Sequence, residues 1–327
     1  MTSPSPSPSP SPSPSPSPFG RALCAMVTPF DADGALDREG AARLAVRLVD
    51  RGCDALVLSG TTGESPTTSD AEKAELIRAV REAVGERAAI VAGVGSADTA
   101  HAQSLARQAE QAGADGLLVL TPYYSRPPQD AIEEHFRTVA DTTGLPVLLY
   151  DIPARTGTRI EPETLLRLAG HPRIVGVKDC AYDLMGTQQV LARTELAYYT
   201  GCEEFILPLY AIGGAGYIST VANVAPAELR AILDAFDAGD TGGAALLQRL
   251  ALPLVELVMA DGLPGTVTTK ALLGALGLPS GPVRAPLRAA GPERVERLLA
   301  AYETLAISAR PAFEDESEGR QASPSGA

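Results

Sequence analysis

Short, almost continuous apolar runs recur eight times along the chain, at 23–27, 55–59, 89–93, 116–120, 147–150, 174–178, 197–200 and 216–219. After each comes a longer stretch in which apolar residues return every three or four positions, at 36–50, 69–84, 99–112, 129–141, 161–169, 182–193, 203–212 and 226–238. Runs this short and this apolar read as strands buried on both faces, as in a parallel sheet covered by helices. Helix punctuation agrees: Ser69-Asp-Ala-Glu72 has the form of a capping box, and Pro162 and Pro226 suit first-turn positions. Eight strand–helix units predict an α/β fold, a (β/α)8 TIM barrel. A doubly wound sheet would want a glycine-rich phosphate loop after its first strand, and Val27-Thr-Pro-Phe30 is not one. Three more helical patterns, at 241–260, 266–276 and 292–307, have no strands between them and predict a C-terminal helical appendage.

The two ends break the pattern. Residues 3–18 are a strict Ser-Pro repeat, which removes half the backbone donors and favours an extended chain. It lacks the basic start and apolar centre of a signal peptide. The last segment is acidic and rich in Ser and Gly, with almost no apolar residue after Phe313. The expected organisation is a disordered tail over 1–18, a catalytic barrel over 19–239, a helical domain over 240–309 and a disordered acidic tail over 310–327.

Composition narrows the partners. A formal net charge of −13 with no basic stripe argues against nucleic acid and anionic membrane surfaces. No transmembrane helix is expected, because no stretch of about 18 apolar residues is free of charge and turn residues. Cys24, Cys53, Cys180 and Cys202 are widely spaced and form no metal-type pair, which suits reduced thiols in the cytoplasm. The three histidines, His101, His135 and His171, fall in helical or loop segments, so no metal site is expected. No Gly-x-Ser-x-Gly elbow is present for acyl transfer.

Of the 27 basic residues only Lys73, Lys178 and Lys270 are lysines. Lys178 closes the sixth apolar run, in Arg173-Ile-Val-Gly-Val-Lys178. A desolvated ammonium can lose its proton where a guanidinium cannot, and a free amine forms a Schiff base with a carbonyl. In a barrel of this kind catalytic groups gather at the carboxyl ends of the strands. That rim receives Gly60-Thr-Thr-Gly-Glu-Ser65, Thr121-Pro-Tyr-Tyr124, Tyr150-Asp-Ile-Pro153 with Arg155-Thr-Gly157, and Lys178. The Gly60 loop offers neutral donors to a carboxylate, and Arg155 offers a charged one. Taken one at a time, a strand-end tyrosine is an amphipathic packing residue, a loop arginine is solvated and a glycine-rich loop is a helix-capping turn. Together they fit imine chemistry on a 2-oxo acid.

These motifs, with Gly216-Tyr-Ile-Ser219, resemble the dihydrodipicolinate synthase / N-acetylneuraminate lyase family of class I, lysine-dependent aldolases, over about residues 19–307. The likeness is greatest to the synthase branch. It implies that Lys178 forms the imine with pyruvate, with no other cofactor, and that Tyr150 shuttles protons in a relay with Thr61 and Tyr124. It implies that Thr62 and the backbone of Ile218 hold pyruvate and that Gly201 also binds substrate. Arg155 is expected to take the carboxylate of L-aspartate-4-semialdehyde. Since the tyrosine in the place of Tyr124 reaches in from a neighbouring subunit, a homotetramer, a dimer of dimers, is expected. The implied product is 4-hydroxy-tetrahydrodipicolinate, on the way to diaminopimelate and lysine.

The chain departs from the family pattern at several positions. Asp151 stands where many synthases have Asn, and the common Ser-Gly-Asp-Asp after strand seven is Thr200-Gly201-Cys202-Glu203. The second change is expected to alter polarity near the second-substrate pocket, which keeps open another pyruvate-dependent aldolase or lyase acting on a sugar acid or other aldehyde. A catalytically silent 2-oxo acid binder is the reading from another class. Asp70, Lys73, Ala97 and His101 occupy the lysine-feedback cleft of some members, so weak or no inhibition by lysine is expected.

Overall fold

Eight parallel strands hydrogen-bond in chain order and close on themselves, the first pairing with the eighth. They are β1 (Ala22–Ala25), β2 (Ala55–Leu58), β3 (Ala89–Gly93), β4 (Gly116–Leu120), β5 (Val147–Asp151), β6 (Ile174–Asp179), β7 (Ala197–Thr200) and β8 (Gly216–Ser219). The computed structural model describes residues 17–259 and 261–308. The acidic tail and all but the last two residues of the Ser-Pro tail lie outside them.

Alternation along each strand sorts side chains into two cores. Leu23, Val57, Val91, Leu118, Leu148, Tyr199 and Ile218 fill the barrel interior. Their neighbours Cys24, Leu56, Ile90, Leu117, Leu149 and Tyr198 face the surrounding helices. This is why the strands read as unbroken apolar runs: neither face meets water. The helices answer with one buried stripe each, as in α1 (Arg38–Asp50), where Gly40, Ala41, Leu44, Ala45 and Leu48 turn inward.

The other barrel helices are α2 (Asp70–Val84), α3 (Thr99–Ala112), α4 (Gln129–Ala140), α5 (Pro153–Thr156), α6 (Pro162–Leu168), α7 (Leu184–Leu191), α8 (Ile206–Ala211) and α9 (Pro226–Asp237). The capping box is present: Glu72 N donates to Ser69 Oγ at 3.2 Å and Ser69 N to Glu72 Oε2 at 2.8 Å. Pro162 and Pro226 open α6 and α9. The single turn α5 escapes periodicity because four residues are too few to show one.

One irregularity decides where the chemistry goes. The β5–β6 register shifts between Val147 and Leu148, so that Val147 pairs with Ile174 but Leu148 with Gly176. Ile174 packs outward, and strict alternation would send Lys178 outward too. At the bulge Val175 packs against the interior, and a Cβ on Gly176 would sit 2.9 Å from the interior side chain of Leu148. The parity flips, and Lys178 enters the barrel opposite Tyr150.

Beyond the barrel come α10 (Thr241–Met259), α11 (Gly265–Ala275) and α12 (Pro292–Ser308). By length and composition α10, with a mean hydropathy of 1.4, could cross a membrane, which the sequence reading had not expected of any segment. Here its apolar residues Ala244, Leu247, Ala251, Leu254, Val255 and Val258 are buried, and it packs on α9 and α12.

Candidate active site

All three lysines are buried, and two of them are satisfied. Lys270 Nζ donates to Glu64 Oε1 at 2.7 Å and to the Pro282 carbonyl at 2.8 Å. Lys73 Nζ donates to the Thr68 carbonyl at 2.5 Å. Lys178 Nζ has neither a hydrogen bond nor an ion pair among the described residues; it stands 4.5 Å from the centroid of the Tyr150 ring. Burial pushes its pKa down, against opposing pulls from Cys180, Glu203, Cys202 and Cys24. Burial pushes the Tyr150 phenol well above its usual range, while a hydrogen bond with the Thr61 side chain and the charge of Arg155 draw it back. The pair is thus an amine inclined to lose its proton beside a phenol inclined to keep one.

Gly201 leaves room for this amine. A Cβ there would lie 2.3 Å from Cys180 Sγ and 2.7 Å from Lys178 Cε, so only glycine admits the lysine stem in this position.

The loop after β2 is a tight turn held from inside. Ser59 and Glu64 are left-handed, with φ of 54° and 56°. Thr28 Oγ1 donates to the Gly63 carbonyl at 2.6 Å, and Ser65 N to the Gly60 carbonyl at 3.2 Å. The buried Thr62 hydroxyl meets the Thr220 hydroxyl at 2.8 Å, which ties the loop to the end of β8, where Ile218 is buried. The appendage supports the loop from behind. Lys270 on α11 pairs with Glu64, and Thr266 Oγ1 donates to the Thr61 carbonyl at 3.3 Å. Sequence reasoning missed Lys270, Thr266 and Thr220; the scarcity of lysine was the available signal for the first.

A cavity of about 380 Å³ opens at this rim, bordered by Gly60, Thr61, Tyr123, Tyr150 and Arg155. Lys178 is not among its lining residues and lies beside the Tyr150 ring instead. The exposed Arg155 comes from α5, which Pro153 starts and left-handed Gly157 stops. Tyr124 does not join the others. It is 95% exposed at a left-handed φ of 73°, while its neighbour Tyr123 reaches the cavity. The same cavity is also bordered by Asp70, Lys73, Ser96 and His101, whereas Ala97 does not reach it. There His101 lies 2.9 Å from Asp70 and 3.2 Å from Ser96.

Glu203 is 1% exposed and bound to the end of β8, and Cys202 is buried beside Cys180 and Tyr182. Neither borders the cavity that Arg155 faces. No cluster of three or more His, Cys, Asp or Glu side chains arranged to hold a metal occurs among the described residues.

The model of the dihydrodipicolinate synthetase (DHDPS) family matches residues 18–304. Over 291 residues the chain is 76% identical to 4-hydroxy-tetrahydrodipicolinate synthase 1 of Streptomyces coelicolor, covering 89% of this chain and 95% of that one. It is 57% identical over 280 residues to the 4-hydroxy-tetrahydrodipicolinate synthase of Acidothermus cellulolyticus, covering 86% of this chain and 90% of that one. The crystal structure of DHDPS from Cyanidioschyzon merolae with lysine bound matches with a TM-score of 0.85 at 34% identity, over 89% of this chain and 99% of that one. A closed parallel barrel, a partnerless buried amine at its carboxyl rim and a family match across nearly the whole described chain agree: this protein belongs to the dihydrodipicolinate synthetase family.

Proposed function

We propose that the chain condenses pyruvate with L-aspartate-4-semialdehyde to 4-hydroxy-tetrahydrodipicolinate through an imine on Lys178. The observation that carries this reading is the Lys178 amine, buried, without a polar partner and facing a protonated phenol. Nζ adds to the pyruvate carbonyl, and Tyr150 donates a proton to the hydroxyl that leaves as water. The protonated imine acts as an electron sink, so a methyl proton departs and the resulting enamine attacks the aldehyde carbon. The amine of the second substrate then displaces Lys178 as the ring closes. No external cofactor is needed, because the protonated imine formed on the lysine is itself the electron sink.

Thr62, held by Thr220, suits one carboxylate oxygen of pyruvate, and the Ile218 backbone lies at the same strand end. Arg155 borders the cavity from the solvent side and is the charge available to the semialdehyde carboxylate. Tyr124 is exposed and does not border its own cavity, which suits a residue lent to a neighbouring subunit. With exposed Tyr182, Leu184 and Met185 it supports a homotetramer. Four free cysteines suit the cytoplasm. Lys73 is already satisfied by Thr68, and its charge at the cavity wall disfavours the ammonium of free lysine there.

The test is a coupled assay with both substrates and added dihydrodipicolinate reductase, following NADPH oxidation. Turnover that vanishes in Lys178→Ala supports the proposal. No turnover by the unsubstituted enzyme refutes it.

A further inference from the structure

Glu203 is the most completely buried carboxyl side chain near Lys178, and nothing in the imine chemistry above uses it. Its Oε1 accepts three hydrogen bonds: from Ser219 Oγ at 2.7 Å, Thr220 N at 2.8 Å and Val221 N at 3.1 Å. Ser219 Oγ in turn accepts from Ala222 N at 3.0 Å. A single oxygen therefore gathers the whole turn that leaves β8. That turn carries the Ile218 backbone on one side and, on the other, the Thr220 hydroxyl that meets Thr62 at 2.8 Å. Glu203 is itself held, because Gln248 Nε2 on α10 donates to its carbonyl at 3.1 Å. Its second oxygen, Oε2, is buried and accepts nothing among the described residues.

An unsatisfied buried carboxylate oxygen is costly, and a turn needs only one acceptor to be held. Alanine would spare the cost of the charge and glutamine would supply the acceptor; the full carboxylate calls for a use. We propose that Glu203 is a positioning residue for the reaction, fixing the β8 turn that seats the pyruvate carboxylate and setting the field around the Lys178 amine. The proposal rests on the pyruvate-imine reading above. The charged and titratable groups that act on Lys178 are Tyr150 on β5, Cys180 after β6, and Cys202 and Glu203 after β7, with Cys24 acting from the outer face of β1. Glu203 is the one carboxyl group among them. Its charge favours the ammonium form and opposes the effect of burial.

The two roles separate by substitution. Glu203→Gln keeps an acceptor for the turn and removes the charge. Glu203→Asp keeps the charge but withdraws it by one methylene from the three donors. The experiment is borohydride trapping of pyruvate alone, rate against pH, with steady-state KM for each substrate and a thermal melt on every variant. Trapping needs no second substrate, so it stands apart from whether the semialdehyde is the correct aldehyde. In Glu203→Gln the acidic limb of the trapping profile should move down by about one pH unit, since the ammonium has lost its counter-charge. In Glu203→Asp the pyruvate KM should rise about tenfold with the semialdehyde KM unchanged, as expected for weakened charge-assisted hydrogen bonds at one subsite. Folded variants with an unmoved acidic limb, or with both KM values raised alike, would overturn the proposal. Absence of trapping in the unsubstituted enzyme would remove the imine reading and this inference together.

Discussion

The amine of Lys178 faces the ring of Tyr150 at 4.5 Å, from paired positions on adjacent strands. Their register depends on the bulge in β6, which turns the lysine from the helix layer into the barrel. Burial acts on the two groups in opposite chemical senses, lowering the pKa of the amine and raising that of the phenol. One feature of the fold, exclusion of water at the strand ends, thereby prepares both a nucleophile and a proton donor.

Removing only the phenolic oxygen tests that pairing. Tyr150→Phe keeps the ring against Lys178 and should lower kcat by about 10²–10⁴-fold, the usual loss on removing a general acid–base group. The melting temperature should change little. Retained kcat would show that protons travel by another route.

Arg155 lies at the cavity mouth, exposed and outside the packed core. Arg155→Ala should raise the semialdehyde KM by about 10–100-fold, the loss of a charge-assisted contact, and leave the pyruvate KM within about twofold. Equal rises in both constants would take the semialdehyde carboxylate away from this residue.

The Lys270–Glu64 pair is almost fully buried, with side-chain exposures of 2% and 1%. Lys270→Met strands Glu64 and should cost about 3–5 kcal/mol in urea unfolding, the range for breaking a buried ion pair from one side. Pyruvate KM should rise as well, because Glu64 belongs to the loop that holds Thr61 and Thr62. Adding Glu64→Gln should recover part of the stability. A loss near zero for the single substitution would show that the pair is dispensable.

Asp151, outward-facing behind Tyr150, gives a pH dependence of defined sign. Burial, and then the charge of Asp179, raises its pKa from 3.8 to about 7, and its Oδ1 is buried without a partner. The folded state therefore holds a proton that the unfolded chain has already shed. Its contribution to stability is full below about pH 4 and is lost as pH rises towards 7. Asp151→Asn cannot ionise, so it should match the parent near pH 4 and exceed it by a few kcal/mol near pH 8. Parallel stability curves across that range would contradict the assignment.

The barrel was legible because parallel strands buried on both faces leave unbroken apolar runs, and four of the eight strands begin and end where those runs do. Lys178 stood out by residue type, as one of three lysines among 27 basic residues. What stayed hidden depended on contacts between distant segments. Nothing local marks the β6 bulge, although it decides which way Lys178 points. The support that α11 gives to the Gly60 loop joins residues 206 positions apart. Glu203 is hidden in the same way: sequence shows that a carboxyl follows β7, and cannot show that it folds back onto β8.

The central claim is that Lys178 is the amine that captures pyruvate. Incubation with pyruvate and borohydride, followed by tryptic digestion and mass spectrometry, tests it directly. Modified Lys178 resists trypsin, so the account predicts one reduced pyruvate on a peptide spanning 174–193, with no other lysine labelled. An adduct on Lys73 or Lys270, or none at all in active enzyme, would contradict it.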